Sequence, residues 1–242
     1  MRREELDVLV IGAGLSGIGQ ACHLIRKCPD ASFAIIERRE RLGGTWDLFR
    51  YPGIRSDSDM FTFGYRFRPW KDPKDIADGP SILKYLHETA DEYGVHEHIR
   101  YQSNITGMDW NSAERRWIAT VETEAETYQI AARVVSSCTG YYNYEKGYLP
   151  EFEGYDDYAG TIVHPQHWPA DLDYAGKSVL IIGSGATAVT LVPTMAKTAA
   201  HVTMLQRSPT YIFSRPAIDP VAKWLRRLMP NSWAYKLCRI KN

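Results

Sequence analysis

Gly12-Ala13-Gly14-Leu15-Ser16-Gly17, set between an apolar run from Leu6 to Ile11 and a second run, Phe33 to Ile36, that ends on Glu37, decides the fold. A strand that turns through Gly-x-Gly into a helix aims backbone N–H groups and the positive helix end at a pyrophosphate, and the glycines let the two backbones come close. An acid about 20 residues further on accepts hydrogen bonds from a ribose diol and repels a 2′-phosphate. Glu37 therefore points to the adenosine end of FAD or NAD. The pattern recurs at Gly183-Ser184-Gly185-Ala186-Thr187-Ala188 after Val179 to Ile182, and its following run, Val202 to Gln206, ends on Arg207 and Ser208. Ala188 stands at the last glycine position, which tolerates alanine. An arginine at the strand end neutralises a 2′-phosphate, so this second unit points to NADPH. The two units match in position and differ in sign, which implies two different dinucleotides.

Working outward, the fold class is α/β with two Rossmann-like dinucleotide-binding domains, the second incomplete. A doubly wound sheet of two strands cannot bury its faces, so strands and helices that complete it are expected to follow. On this ground the chain is read as an amino-terminal part of a longer protein, or a truncated product. We divide it into 1–145, an FAD-binding domain with a small antiparallel insertion; 146–176, a connector; and 177–242, the first part of an NADPH-binding domain with a basic helical segment.

Residues 6–37 read as a βαβ unit with its helix from Ser16 to Lys27. Arg41 to Trp70, rich in Gly, Pro, Asp, Arg and aromatics without a clean period, reads as one long functional loop. Ser81 to Tyr93 has helical spacing. Between Ile99 and Ser137, Ile105–Trp110, Trp117–Val121, Tyr128–Ile130 and Arg133–Ser137 read as short strands of an antiparallel insertion, with Cys138-Thr139-Gly140 returning to the first nucleotide's edge. Ile218 to Ile240 reads as a helical stretch carrying Lys223, Arg226, Arg227, Lys236, Arg239 and Lys241 against the single acid Asp219. A solvated helical face is preferred to a weak membrane-surface association.

The bulk composition is that of a globular protein. With 29 basic and 29 acidic residues there is no net charge to call for nucleic acid. No apolar run approaches the ~20 residues that span a bilayer and the amino terminus lacks a signal-peptide core, so a cytoplasmic location is expected. Four widely spaced cysteines, Cys22, Cys28, Cys138 and Cys238, contain no Cys-x-x-Cys pair. That disfavours a metal site, a disulfide framework and a dithiol reductase, and leaves thiols, mostly buried.

Two long-spaced motifs narrow the chemistry. Tyr158-Ala159-Gly160-Thr161-Ile162-Val163-His164-Pro165-Gln166-His167-Trp168-Pro169 resembles the fingerprint of type I Baeyer–Villiger monooxygenases, Phe-x-Gly-x-x-x-His-x-x-x-Trp-Pro, with Tyr158 in the Phe position. Gly43-Gly44-Thr45-Trp46-Asp47-Leu48-Phe49-Arg50-Tyr51-Pro52-Gly53-Ile54-Arg55-Ser56-Asp57 resembles the same family's Gly-Gly-x-Trp, Tyr-Pro-Gly, Asp signature. Trp168 separates it from flavin monooxygenases that oxygenate amines and sulfides. The stretch Gly43 to Trp70 and the run Leu205-Gln206-Arg207-Ser208-Pro209-Thr210-Tyr211 look like the ethionamide-activating branch. The resemblance covers essentially the whole chain.

The resemblance implies an FAD- and NADPH-dependent monooxygenase in which a flavin C4a-peroxide inserts oxygen into a ketone or oxygenates sulfur or nitrogen. Its partners would be molecular oxygen and a small ketone, sulfide or thioamide. Such chemistry needs a dry cleft. By the motif match, Gly12, Gly14, Ser16 and Gly17 cradle the FAD pyrophosphate and Glu37 its ribose. Gly44, Thr45, Trp46, Asp47 and Leu48 line the flavin, and Ile105 meets the adenine through its backbone. Arg55, Ser56 and Asp57 lie where flavin and nicotinamide meet. Ser184, Gly185, Ala186, Thr187, Ala188, Val189 and Thr190, with Arg207 and Ser208, hold NADPH. Asp57 is the catalytic candidate, because the family's matching carboxylate orients an arginine that stabilises negative charge. That arginine comes from a later part of the family's chain. Asp57 as a simple loop cap is the competing reading. His164 is read as a hinge residue, and His167 and His201 as packing or surface groups. An N- or S-oxygenating enzyme and a non-catalytic flavin-binding fragment stay open as alternatives.

Overall fold

A computed structural model describes residues 2–208, 211–212, 216 and 218–241. The chain forms two compact units that do not follow chain order, one from residues 1–48 and 83–143, the other from 49–82 and 144–242.

In the first unit the glycine turn joins β1 (Arg3–Ile11) to α1 (Leu15–Lys27), and the chain returns as β2 (Phe33–Ile36). α1 buries Ile18, Ala21, Cys22 and Leu24, and ends on Arg26 and Lys27, which suit the negative end of the helix dipole. All four residues of β2 are buried, as befits a parallel strand covered on both faces. Six strands form one mixed sheet, β3-β2-β1-β6-β5-β4, completed by β3 (Ile99–Arg100), β4 (Asn104–Asn111), β5 (Arg116–Glu122) and β6 (Thr127–Ser137). β1 lies between β2 and β6 and is parallel to both, with Ile11 level with Ile36 on one side and Ser137 on the other. The carboxyl ends of three strands therefore finish together at Gly12, Glu37 and Cys138, the edge where open α/β sheets bind ligands.

The expected antiparallel insertion is part of this sheet and not separate from it. β6 is one continuous strand where two were expected. Residues 127–132 pair antiparallel with β5, while the strand also runs parallel to β1 from Gln129 to Ser137. Tyr128, Ile130, Ala131 and Ala132 are buried, so the alternation that marks a half-exposed strand is lost there.

In the second unit, β7 (Ser178–Ile182), α5 (Ala186–Met195) and β8 (His201–Leu205) repeat the βαβ pattern with parallel strands. Leu180, Ile182 and Leu205 are more than half exposed. The stretch from Arg41 to Trp70 is not one loop: it holds two short helices, α2 (Thr45–Leu48) and α3 (Met60–Phe63). α4 (Gly79–Glu92) begins two residues earlier than its spacing predicts. The basic tail, expected as one helical stretch, divides into α6 (Pro220–Leu228) and α7 (Asn231–Lys241). The break falls at Met229, held extended at φ −147 and ψ 162 by the following Pro230. Among the described residues no helix is long and apolar enough to cross a membrane.

Candidate functional site

The first glycine turn is built by close approach. Gly12 sits at φ +100, donates its N–H to Ile36 O at 2.8 Å, and would place a β-carbon 2.6 Å from the Cys138 carbonyl oxygen. A β-carbon on Gly17 would stand 1.8 Å from Gly12 O, so α1 packs against the turn at a distance that only glycine permits. Ser16 lies on the exposed side of α1.

Glu37 closes this site. Its side chain is buried, with one carboxylate oxygen accepting from Ala13 N at 2.7 Å and the other from Arg39 N at 2.9 Å. Each oxygen keeps a second lone-pair direction for a hydroxyl donor. Ser103 N donates to Glu37 O at 3.0 Å, which brings the approach to β4, and so Ile105, to this corner. The Ile105 side chain packs on the sheet's core, leaving its backbone for any ligand contact.

A second pair of glycines is pinned to the first turn. Gly43 and Gly44 have φ +119 and +55, and Gly43 N donates to Ala13 O at 2.9 Å. A β-carbon on Gly14 would lie 3.6 Å from Gly44 Cα. Asp47 is buried and paired with Arg39 at 2.7 Å and Arg41 at 3.4 Å, a fixed anion and not an open ligand group. Thr45, Trp46 and Leu48 are half-buried on the same short helix.

The second glycine turn repeats the first. Gly183, at φ +129, donates to Leu205 O at 2.8 Å, the counterpart of the bond from Gly12 to Ile36. That bond brings the end of β8 beside the turn, with Arg207 and Ser208 exposed two and three residues later. β-Carbons on Gly183 and Gly185 would meet nothing within 4 Å, an open cradle. Ser184, Thr187 and Val189 are half-buried and Ala186 exposed, whereas Ala188 and Thr190 are buried within α5, giving them a packing role. Pro209 and Thr210 of the run from Leu205 to Tyr211 lie outside the described residues.

Helix starts distinguish the two turns from α3 and α6. The first N–H groups of any helix lack an intrahelical acceptor. At α3 and α6, Asp59 and Asp219 each accept from two of them. At α1 and α5 the capping positions are Gly14 and Gly185, with no side-chain cap and no acid in the first turn. Those two helices present N–H groups and a positive end to an anion.

Ser56 is buried, with its hydroxyl bonded to Ser58 O at 2.8 Å, while Arg55 and Asp57 are exposed. The capping role considered for Asp57 belongs to Asp59, two residues on, whose carboxylate accepts from Phe61 N and Thr62 N at 3.0 Å. An aspartate just ahead of a helix is a signal the sequence did carry. Tyr51 is buried, and burial outweighs the opposing pull of the Thr187 side chain to hold its hydroxyl above the usual tyrosine range. In the connector, His164 Nδ1 accepts from Gln166 N at 3.2 Å, and Trp168 meets the Tyr174 ring edge-on at 6.5 Å. The cysteines are thiols, with Cys22 and Cys238 buried, Cys138 half-buried and Cys28 exposed.

The basic tail corrects the reading of a uniformly solvated face. Arg226 donates to the carbonyls of Trp70, Lys71 and Asp72 at 2.9 to 3.2 Å, Arg239 donates to Phe61 O at 2.6 Å, and Lys241 pairs with Asp219. Lys223, Arg227 and Lys236 are exposed. Half of the basic residues thus hold α6 and α7 together and onto the segment around α3.

The fold shows two strand–glycine turn–helix–strand units whose second strands are followed by opposite charges, Glu37 and Arg207. A family model described as FMO-like, flavin-binding monooxygenase-like, matches residues 5–221, and the chain belongs to this family. It is 58% identical to the FAD-containing monooxygenase EthA of Mycolicibacterium smegmatis over 98% of its own length and 49% of that protein. The chain thus spans about half the length of the curated relatives it matches. Among solved structures, OTEMO in complex with FAD and NADP is 33% identical with a TM-score of 0.71, over 84% of this chain and 39% of that one. Cyclohexanone-bound cyclohexanone monooxygenase is 26% identical with a TM-score of 0.72, over 86% of this chain and 40% of that one.

Proposed function

We propose that this chain serves an FAD- and NADPH-dependent monooxygenase of Baeyer–Villiger type, with FAD on the first glycine turn and NADPH on the second. The observation that carries the reading is the contrast in helix starts, uncapped at Gly14 and Gly185 where the charges beyond are Glu37 and Arg207, and capped at α3 and α6. The residues present fit both groups. Gly12 and Gly17 let the strand end and α1 pack closely enough to bring the helix start to the turn, where a pyrophosphate would sit, and Glu37 offers two acceptor oxygens to a ribose diol. Gly183 and Gly185 border open space, with Arg207 and Ser208 beyond them for a 2′-phosphate. On this reading 1–145 is the FAD domain, 146–176 the connector and 177–242 part of the NADPH domain.

When bound, reduced FAD supplies the activation of molecular oxygen. The chain's own residues bind, orient and exclude water. Gly44 to Leu48, fixed by the pairing of Asp47 with Arg39 and Arg41, form a rigid wall for the ring system, and Asp57 supplies a carboxylate on an exposed loop. A cyclic ketone is the first substrate to test, since the relative solved with cyclohexanone belongs to the same structural group. Sulfides and thioamides are the second class, as implied by the resemblance of Gly43 to Trp70 and Leu205 to Tyr211 to the ethionamide-activating branch. Incubating a full-length protein containing this chain with cyclohexanone, NADPH and oxygen is expected to yield the lactone; sulfoxide from a thioether without any lactone would favour the second class. Weak membrane-surface binding rests on Trp224, Trp233 and Ile240, exposed beside Lys223, Arg227 and Lys236, and vesicle flotation tests it.

A further inference from the structure

The connector carries Gly147, Gly154, Gly160 and Gly176, which are glycine for two different reasons. Gly154 and Gly176 stand at φ +75 and +67, a backbone that side chains rarely adopt. Gly147 and Gly160 lie outside that region, so their surroundings and not their backbone call for glycine. In both cases the space is taken by a ring of the fingerprint motif. A β-carbon on Gly160 would stand 2.4 Å from the Tyr158 hydroxyl oxygen, and one on Gly147 would stand 2.1 to 2.6 Å from Cε1, Nε2 and Nδ1 of His164. Tyr158 and Gly160 belong to the motif, whereas Gly147 lies ahead of it. The His164 ring is thus held twice. Gly147 lies against the ring edge that carries Cε1, and Nδ1 accepts from Gln166 N at 3.2 Å, capping the single helical turn Pro165–His167. A neutral imidazole that accepts at Nδ1 carries its proton on Nε2. Trp168 follows directly where this turn ends, so the motif's histidine and tryptophan bracket one turn that the imidazole caps. A methyl group on residue 147 would displace the ring and with it the cap.

We propose that Gly147 is a positioning residue that completes the fingerprint from outside it: it seats the His164 imidazole in its Nε2–H form, and through the Gln166 cap it fixes the turn that leads to Trp168. Its effect is carried entirely by the His164 ring, so replacing Gly147 is expected to matter only while a histidine stands at 164. The consequence for turnover rests on the monooxygenase reading; the seating of the ring does not.

Long-range proton–nitrogen spectra of the histidine rings, recorded on this chain at about pH 8, above the ordinary histidine range, test the seating. Wild-type His164 is expected in the Nε2–H form, and Gly147→Ala to lose that single form and to lower Tm by about 2 °C or more. In a His164→Ala background the added methyl group meets no ring, so Gly147→Ala is expected to lower Tm no further. In a full-length protein containing this chain, Gly147→Ala is expected to slow NADPH-dependent oxygenation by about tenfold, to the level of His164→Ala, with the double variant no slower than His164→Ala alone. A wild-type ring protonated on Nδ1, a Gly147→Ala variant with unchanged spectrum and rate, or losses that multiply in the double variant overturns the proposal. If Gly147→Ala does not fold, a folded double variant supports the seat and an unfolded one overturns it. A full-length wild type without oxygenation overturns the monooxygenase reading alone, because the spectra and melting of this chain still decide the seating.

Discussion

Gly17 and Gly185 stand at the two glycine turns, and the structure gives them opposite tasks. In Gly17→Ala the new methyl group would sit 1.8 Å from Gly12 O, far inside contact distance, so α1 must move off the turn. Overpacking of this kind costs about 1–3 kcal/mol, and the helix-propensity gain of alanine over glycine returns about 1 kcal/mol at most. A net loss of about 1–2 kcal/mol corresponds to roughly 2–8 °C in Tm for a chain of this size. In Gly185→Ala the methyl group meets nothing within 4 Å, and the backbone, at φ −75 and ψ −179, already suits alanine. Its apo stability is expected to stay within about 0.5 kcal/mol of wild type. The same methyl group would occupy the space into which a pyrophosphate must come, so NADPH affinity is expected to fall by about tenfold or more. Thermal unfolding of the apo proteins and fluorescence titration with NADPH read both effects. An unstable Gly185→Ala, or one that binds NADPH as wild type does, would refute the assignment of that turn as a ligand cradle.

Other consequences follow from single side chains. Glu37→Gln turns an amide donor toward Ala13 N or Arg39 N, so FAD affinity measured by flavin fluorescence is expected to drop by about tenfold, with apo stability lowered by about 1–3 kcal/mol. Arg226→Ala releases the carbonyls of Trp70, Lys71 and Asp72 and is expected to destabilise by about 1–3 kcal/mol, with faster hydrogen exchange in α6 and α7. Arg227→Ala, at an exposed site, is expected to change stability by less than about 0.5 kcal/mol. Burial pushes the Asp219 carboxyl up, but Lys241 and the N–H groups of Ala222 and Val221 outweigh it and hold the group below the ordinary aspartate range. Its contribution is therefore present above the unfolded-state value near pH 4 and is lost as pH falls through the lower folded value. Asp219→Asn keeps the cap and removes the charge, so denaturant unfolding curves are expected to show a weaker decline in stability below about pH 4.

Much of this arrangement was legible in the residues. Gly12 and Gly183 stand at positive φ in the two turns, β2 ends where its apolar run ends ahead of Glu37, β8 ends at Leu205, one residue short of the expected Gln206, and α1 begins at Leu15, one residue before the expected Ser16. What could not be read depends on tertiary partners. The joining of β6 to both β1 and β5 erases the alternation around Ala131 and Ala132. The close approach of Gly53 to Thr194 joins residues far apart in sequence, and neither residue type announces it. Arg226 and Arg239 looked like members of a surface charge run because nothing local shows that they reach carbonyls over 150 residues away. Asp59 is the exception, a helix cap whose local signal was there, while a loop cap was considered only at Asp57, as the alternative to its catalytic role.

The account as a whole turns on which ligand each turn holds. Purified under anaerobic conditions with added FAD, the chain is expected to retain a yellow flavin after desalting, and stopped-flow absorbance should show it bleached by NADPH much faster than by NADH. A chain that stays colourless, or one reduced equally by the two nicotinamides, contradicts the division of labour between Glu37 and Arg207.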